Sequence, residues 1–218
     1  MSIGTFLLVA AVLAWLVWGR RPSRAGRSAA ARARQLRTPL VRLAELAGVQ
    51  TVRGRQAAQF AAGAVGERRT GRLLFILRLL GWTVLHDLAL PTGRANVDHL
   101  VVSPRGVAVV VDSKLWDGRC VRAVGGRLLH GDLDVTDRLR GLRHEAETVS
   151  RVLGVPVISL VVMHGASVDG GALIFHGIRI VPAQSAVPVL RGIARRHRGY
   201  GYDLGRRAAR ALKPYGRN

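Results

Sequence analysis

Two apolar runs, Leu100 to Val102 and Val107 to Val111, separated by Pro104-Arg105-Gly106, constrain this 218-residue chain more than any other feature. Both runs are mostly β-branched and read as buried strands, and Pro-Arg-Gly between them is turn chemistry. A type I turn with Pro104 at its second position and Gly106 in the left-handed conformation closes a three-residue hairpin loop. That loop pairs Ser103 with Val107 and, counting outward, Asp98 with Asp112. Two acids then face each other across the ladder. Directly opposed like charges destabilise a sheet, so a positive group has to offset them, and Lys114 lies two residues beyond Asp112 on the same face.

Lysine usage sharpens the point. The chain carries 34 Lys plus Arg, yet only Lys114 and Lys213 are lysines. An isolated strand-end lysine ordinarily snorkels to water. Beside two strand acids, in a chain that otherwise uses arginine, Lys114 reads as a working ammonium. Two carboxylates and an ammonium gathered at the ends of adjoining strands form the layout of a metal-dependent nuclease centre.

A formal net charge of +21 favours a polyanionic partner, either nucleic acid or an anionic membrane surface. Cys120 is the only cysteine, which excludes an intramolecular disulfide and a thiolate metal cluster. Ile3 to Trp18 is an uncharged apolar run with Trp15 and Trp18 near one end, where interfacial aromatics belong. Arg20, Arg21, Arg24 and Arg27 follow it, whereas a secretory signal would carry its charge in front. The expectation is a single-pass transmembrane helix over residues 1–19, N-terminus out, with the rest of the chain cytoplasmic. Residues 20–54 are expected to be an arginine-rich juxtamembrane linker lying against anionic lipids. Within it, Thr38-Pro39 opens a short helix carrying Leu40, Leu43 and Leu46.

The folded domain is expected over residues 55–183, followed by basic C-terminal helices over 184–218. A helix around Ala64 to Leu80 places Glu67 on the face of Leu74, aiming an acid toward the core. Gly81 ends that helix and Trp82 to Leu88 makes a first strand, ahead of the hairpin. A weaker strand pair around Arg119–Val124 and Arg127–His130 turns at Gly125-Gly126. A helix then runs from Thr136 to about Leu153, followed by strands at Val155–Met163 and Ile178–Val181 and two basic helices.

Gly66-Glu67, Trp82, Asn96-Val97-Asp98-His99, the hairpin, Asp112-Ser113-Lys114 and Trp116-Asp117-Gly118 together resemble the nuclease-related domain, NERD, of the PD-(D/E)xK nuclease superfamily. The resemblance covers roughly Ala64 to His130. It implies a restriction-endonuclease-like α/β fold, an α-β-β-β-α-β core with a mixed central sheet, and catalytic positions at Glu67, Asp98, Asp112 and Lys114. Asp112 stands where other members often have glutamate.

Phosphodiester cleavage develops charge on the attacking water, the equatorial oxygens and the leaving alkoxide, and Mg²⁺ (or Mn²⁺) stabilises all three. Asp98, Asp112, the backbone carbonyl of Ser113 and Glu67 are the candidate metal ligands, with Lys114 orienting the water. His99 alternates to the face opposite Asp98 and reads as structural. Asn96 shares the face of Asp98, which it could hold by a hydrogen bond, or it could serve only to open the strand. Arg191, Arg195, Arg196, Arg206 and Arg207 give basic helix faces suited to phosphate contact. The expected function is a membrane-anchored, Mg²⁺-dependent nuclease with DNA as the favoured substrate. The alternative is a non-catalytic module that tethers nucleic acid to the membrane.

Overall fold

The β-branched runs and the Pro-Arg-Gly turn fold as the hairpin that their pattern dictates. The computed structural model describes residues 24–91 and 96–215. Strand β2 (Asn96–Val102) pairs antiparallel with β3 (Ala108–Leu115), with Val102 opposite Ala108 and His99 opposite Val111. Ser103 N–H donates to the Val107 carbonyl at 2.9 Å, and Gly106 N–H to the Ser103 carbonyl at 2.8 Å. Gly106 has φ +83°, the left-handed conformation that closes the loop.

Strand β1 (Thr83–Ala89) adds antiparallel to the outer side of β2. On the inner side, β3 pairs in parallel with β7 (Val157–His164), and β7 with β9 (Ile178–Pro182). The edge strand β8 (Leu173–Phe175), antiparallel to β9, completes a six-stranded mixed sheet in the order β1-β2-β3-β7-β9-β8. A small sheet of β4 (Val121–Val124), β5 (Arg127–His130) and β6 (Leu133–Asp134) branches off after β3. Its first turn is Gly125-Gly126, with Val124 opposite Arg127.

Strand alternation sorts the buried valines onto two faces. Val101, Val109 and Val111 pack with Leu74 and Leu77 of the long helix α3 (Val52–Leu79) and with Leu190 and Ile193 of α5 (Ala186–Arg196). Leu100, Val102 and Val110 pack with Leu142 and Val149 of α4 (Arg140–Leu153) and with Leu204 and Ala208 of α6 (Leu204–Ala211). The result is an α/β sandwich with helices on both sides of a mixed sheet.

Helix α3 starts twelve residues before the Ala64 expected from periodicity. Its first half is held by α1 (Arg27–Leu36), which packs along it. Gly26 makes the close crossing possible: a Cβ there would lie 2.7 Å from the Ala64 carbonyl oxygen. The stretch read as a linker is therefore largely helical, and α2 (Pro39–Leu46) opens on Thr38, whose hydroxyl accepts from Val41 N–H as its cap.

The single-pass membrane placement, N-terminus out with a cytoplasmic nuclease domain, is corrected: among the described residues no helix is long and apolar enough to cross a membrane. The apolar run Ile3 to Trp18, on which that expectation rested, lies outside the described residues.

The hairpin turn makes a direct test of this packing. A Cβ at Gly106 would run into the Gly201 carbonyl oxygen, and its positive φ alone costs a non-glycine residue about 1–3 kcal/mol. Gly106→Ala is expected to lower unfolding stability by at least that much, read as a shift in urea midpoint, whereas Gly125→Ala, with open space around it, is expected to cost less.

Candidate active site

The β2–β3 ladder stops one residue before the two acids. Its last pair is His99 with Val111, so the same register sets Asp98 opposite Asp112. There a side chain replaces the backbone: Ser113 N–H donates to Asp98 Oδ2 at 3.1 Å. Meanwhile β3 stays in register with β7, Asp112 beside Val161 and Lys114 beside Met163. One strand is thus clamped on its inner side and open on its outer side where the chemistry-bearing residues emerge. The amide and carbonyl of one strand residue point to the same neighbour, so the Ser113 carbonyl emerges on the open edge beside Asp98.

Lys114 answers the charge problem set by the hairpin. Its Nζ donates to Asp112 Oδ1 at 2.9 Å and lies 2.8 Å from Oδ2, so one ammonium spans both oxygens. Burial pulls the Lys114 pKa down, but Asp112 and Asp98 outweigh it and hold the ammonium above its ordinary value.

Glu67 arrives from the other face of the sheet. Helix α3 comes close to β3 at Gly66, where a Cβ would sit 3.4 Å from Leu115 Cβ, and this brings the next residue to the strand ends. Glu67 is 5% exposed, and among the described residues its Oε2 meets no hydrogen-bond partner. Burial, then Asp98 and Asp87, push its pKa up to about 9, against one favourable bond from Gly26 N–H. Asp98 is likewise raised, to about 7, by burial and then by Asp112, with Lys114 and the Ser113 amide opposing.

Two acids escaped the sequence reading. Glu145 on α4 feels burial first, then Asp112 and Asp98, and is raised to about 8. Its signal was an acid set among the apolar helix positions Leu142, Ala146 and Val149. Asp87, at φ +52°, interrupts β1, which resumes its pairing at Leu88 with Val97, and binds Ser28 N–H through Oδ2 at 2.8 Å. Asn96, read as either holding Asp98 or only opening the strand, is the first residue of β2 and donates not to Asp98 but to Asp87 Oδ1 and Ser28 Oγ, both at 3.0 Å. Four of the chain's 13 acids, Glu67, Asp87, Asp112 and Glu145, thereby lie within electrostatic reach of a fifth, Asp98, in a strongly basic molecule.

On the opposite face, a buried hydrogen-bond chain locks α3 to β3. Ser113 Oγ donates to Thr70 Oγ1 at 2.8 Å, and Thr70 Oγ1 meets His164 Nε2 at 2.8 Å. With its one proton committed, Ser113 accepts from His99 Nε2 at 3.2 Å, and His99 Nδ1 in turn accepts from His86 Nδ1 at 2.7 Å. Every link is satisfied by neutral imidazoles, in keeping with burial pushing all three histidines below their ordinary values, His86 to about 4. His99 is structural, as its alternation implied. Thr70 lies one helical turn from Glu67, and Ser113 lies between Asp112 and Lys114, so this bond fixes one half of the site against the other.

The five C-terminal arginines are not brought to this centre. Arg191 and Arg195 line a hollow with Trp82 and Pro104 at the hairpin turn, about 17 Å from Asp98 at strand rise. Arg196 follows at the end of the same helix. Arg207 donates to the Leu153 carbonyl at the end of α4, and Arg206 sits beside it, next to Gly205, which abuts Thr83 at the start of β1.

Asp98, Asp112 and Glu67 offer the hard oxygen donors that a divalent cation takes, and the unpartnered Glu67 Oε2 is an acceptor awaiting a positive group. Among the described residues no three His, Cys, Asp or Glu side chains converge to hold an ion. The donor types suit a divalent cation, but in this arrangement the side chains are not gathered on one point and Lys114 occupies Asp112.

A family model for the nuclease-related domain, NERD, matches residues 62–164, from the middle of α3 to the end of β7. No curated protein and no solved structure matches.

The raised carboxyls couple stability to pH. A carboxyl whose folded pKa lies above its unfolded value binds more protons in the folded state, so stability falls as pH rises from the unfolded value through the folded one. For Glu67 that window runs from about 4.5 to about 9. Glu67→Gln is expected to match wild type in Tm near pH 4 and to exceed it increasingly up to pH 9, read by calorimetry. A Tm difference independent of pH would contradict the buried, proton-holding carboxyl.

Proposed function

From a nuclease-related domain over residues 62–164, consistent with the PD-(D/E)xK superfamily, we propose that this chain is a divalent-metal-dependent nuclease, with Mg²⁺ as the ion and DNA as the favoured substrate. The observation that carries the reading is the Asp112–Lys114 pair held beside Asp98 at the open end of β3. A module that only binds nucleic acid has no use for five acids clustered about Asp98, because they repel phosphate.

The residues divide the work by chemistry. Lys114, charged at neutral pH and aimed by Asp112, places its ammonium against the attacking water and the developing charge on the phosphate. Asp98 is oriented by the Ser113 amide, and Asp112 by Lys114, so neither needs to reorganise as the reaction proceeds. Glu67 and Glu145, raised to about 9 and about 8, are carboxyls able to hold a proton at neutral pH. A bound divalent cation, held by Asp98, Asp112, Glu67 and the Ser113 carbonyl, would supply charge stabilisation to the phosphoryl oxygens and acidify water.

Incubating the full-length chain with labelled single- and double-stranded DNA and RNA, with Mg²⁺, Mn²⁺ or chelator, tests the proposal. Cleavage that requires the metal is expected. Asp98→Asn and Asp112→Asn are each expected to abolish cleavage and to leave binding intact or tighter, because each removes repulsion against phosphate. Lys114→Arg keeps the charge but replaces a compact ammonium with a broad planar fork, and is expected to cleave at least roughly tenfold more slowly. Lys213→Arg, at an exposed position whose backbone carbonyl alone is used, is expected to be silent. Wild-type binding without cleavage in any metal would favour the binding-module reading.

A further inference from the structure

Beside the acids lies a basic groove with the charge that the acids lack. It runs between α1 and α3 and is lined by Arg27, Arg32, Arg34, Gln35, Arg68 and Tyr215. Its inner end abuts the buried acid cluster, whose carboxylates do not themselves line it: Gly26 lines the groove and gives its N–H to Glu67, and Arg68 follows Glu67 on α3. Tyr215 N–H donates to the Asp87 carbonyl at 2.7 Å, closing the other wall. The floor and the acid cluster are therefore one structure, tied by Asp87 and Glu67.

The arginines are presented rather than consumed. Among the described residues, none of Arg27, Arg32, Arg34 and Arg68 is in an ion pair, although Arg119, Arg122, Arg127 and Arg140 all are. Arg32 is held between the Phe60 and Tyr215 rings, at 5.8 and 5.7 Å, and donates to Tyr215 Oη at 3.3 Å. That fixes its guanidinium in place and leaves donors free for the non-bridging oxygens of a phosphodiester. Arg27, Arg34 and Arg68 are exposed. Beyond the acids on the other side of α3, Arg69 lines a second hollow with His164 and Gln184.

We propose that this α1–α3 groove is the phosphodiester track that leads a nucleic-acid strand to the acid cluster, and that the C-terminal arginines are not. The inference rests on the nuclease reading for what happens at the end of the track. Its own content is where the backbone binds. A concave channel that ends at repelling carboxylates suits a strand threaded past one point, in which flanking phosphates are held by arginine while one is brought over the acids. It suits a lipid surface poorly, because a bilayer is flat and would meet the same acids.

The test is binding of the full-length chain to labelled single-stranded DNA, single-stranded RNA and duplex DNA, in chelator, by anisotropy across a salt series. Arg34→Gln with Arg68→Gln is expected to weaken binding roughly tenfold and to flatten the salt slope by about one for each phosphate no longer neutralised. Arg34→Lys with Arg68→Lys is expected to restore most of the slope, because neutralising a phosphate needs only charge. Arg191→Gln with Arg195→Gln, at the far end of the sheet, is expected to change neither by more than about twofold. An unchanged melting temperature excludes misfolding as the cause. The inference is overturned if the far-end pair abolishes binding while the groove pair does not, or if the groove pair alters capture by phosphatidylserine vesicles but not by nucleic acid. The two readings fail separately. Groove-dependent binding without wild-type cleavage removes the nuclease reading alone, and wild-type cleavage with a groove pair that keeps its affinity and salt slope removes the track alone.

Discussion

The unpaired outer edge of β3 at Ser113 is the constraint on which the rest depends. Had the antiparallel ladder continued, the Ser113 amide would have been spent on the backbone of β2 and Asp98 would have projected away from it. Instead the amide binds Asp98 Oδ2, and the outer edge of β3 is left without a backbone partner from β2 there. The inner edge cannot open in the same way, because β7 pairs with β3 as far as Leu115. Rigid on one side and free on the other, β3 offers a carboxylate, a carbonyl and an ammonium within three consecutive residues.

Crowding carboxylates there has an energetic consequence. At an effective dielectric of about 20, two unit charges roughly 5 Å apart repel by about 3 kcal/mol, which is comparable to a large fraction of the stability of a domain this size. The fold meets the repulsion in three ways: the Lys114 ammonium, backbone amides from Ser113 and Gly26, and protons retained on Glu67, Asp98 and Glu145. A divalent cation would do the same work more completely. The buried chain from His86 to His164 adds rigidity from the other side, since Thr70 and Ser113 tie the helix that carries Glu67 to the strand that carries Asp112 and Lys114.

Charge is distributed in opposition. A chain of net charge +21 gathers five acids about Asp98 and, among the described residues, lines the adjoining groove with arginines that make no ion pair. The basic surface attracts a polyanion at long range, while the acids prevent it from settling over them without a counter-ion. Helix α1 is central to this arrangement, because its first turn satisfies Asp87 and Glu67 while its arginines form a wall of the groove.

Local chemistry made the hairpin legible. Pro104 and Gly106 admit one turn, the alternation of valines admits one register, and together they set Asp98 against Asp112 with Lys114 alongside. The inward aim of Glu67 and the turn of His99 onto the buried face opposite Asp98 followed from the periods of helix and strand. Sequence order also sufficed for the resemblance to the nuclease-related domain. The reach of α3 back to Val52, the docking of α1 and the joining of Asp87, Asn96 and Ser28 depend on contacts between residues up to 68 positions apart, which no local pattern encodes. Glu145 belongs to the same class, since an acid on an apolar stripe acquires meaning only when the stripe lands on β3. The arginines show the limit most clearly: composition alone made Arg191 and Arg34 equivalent, and only the paths of α5 and α1 over the sheet put one at the hairpin turn and the other in the groove that abuts the acids.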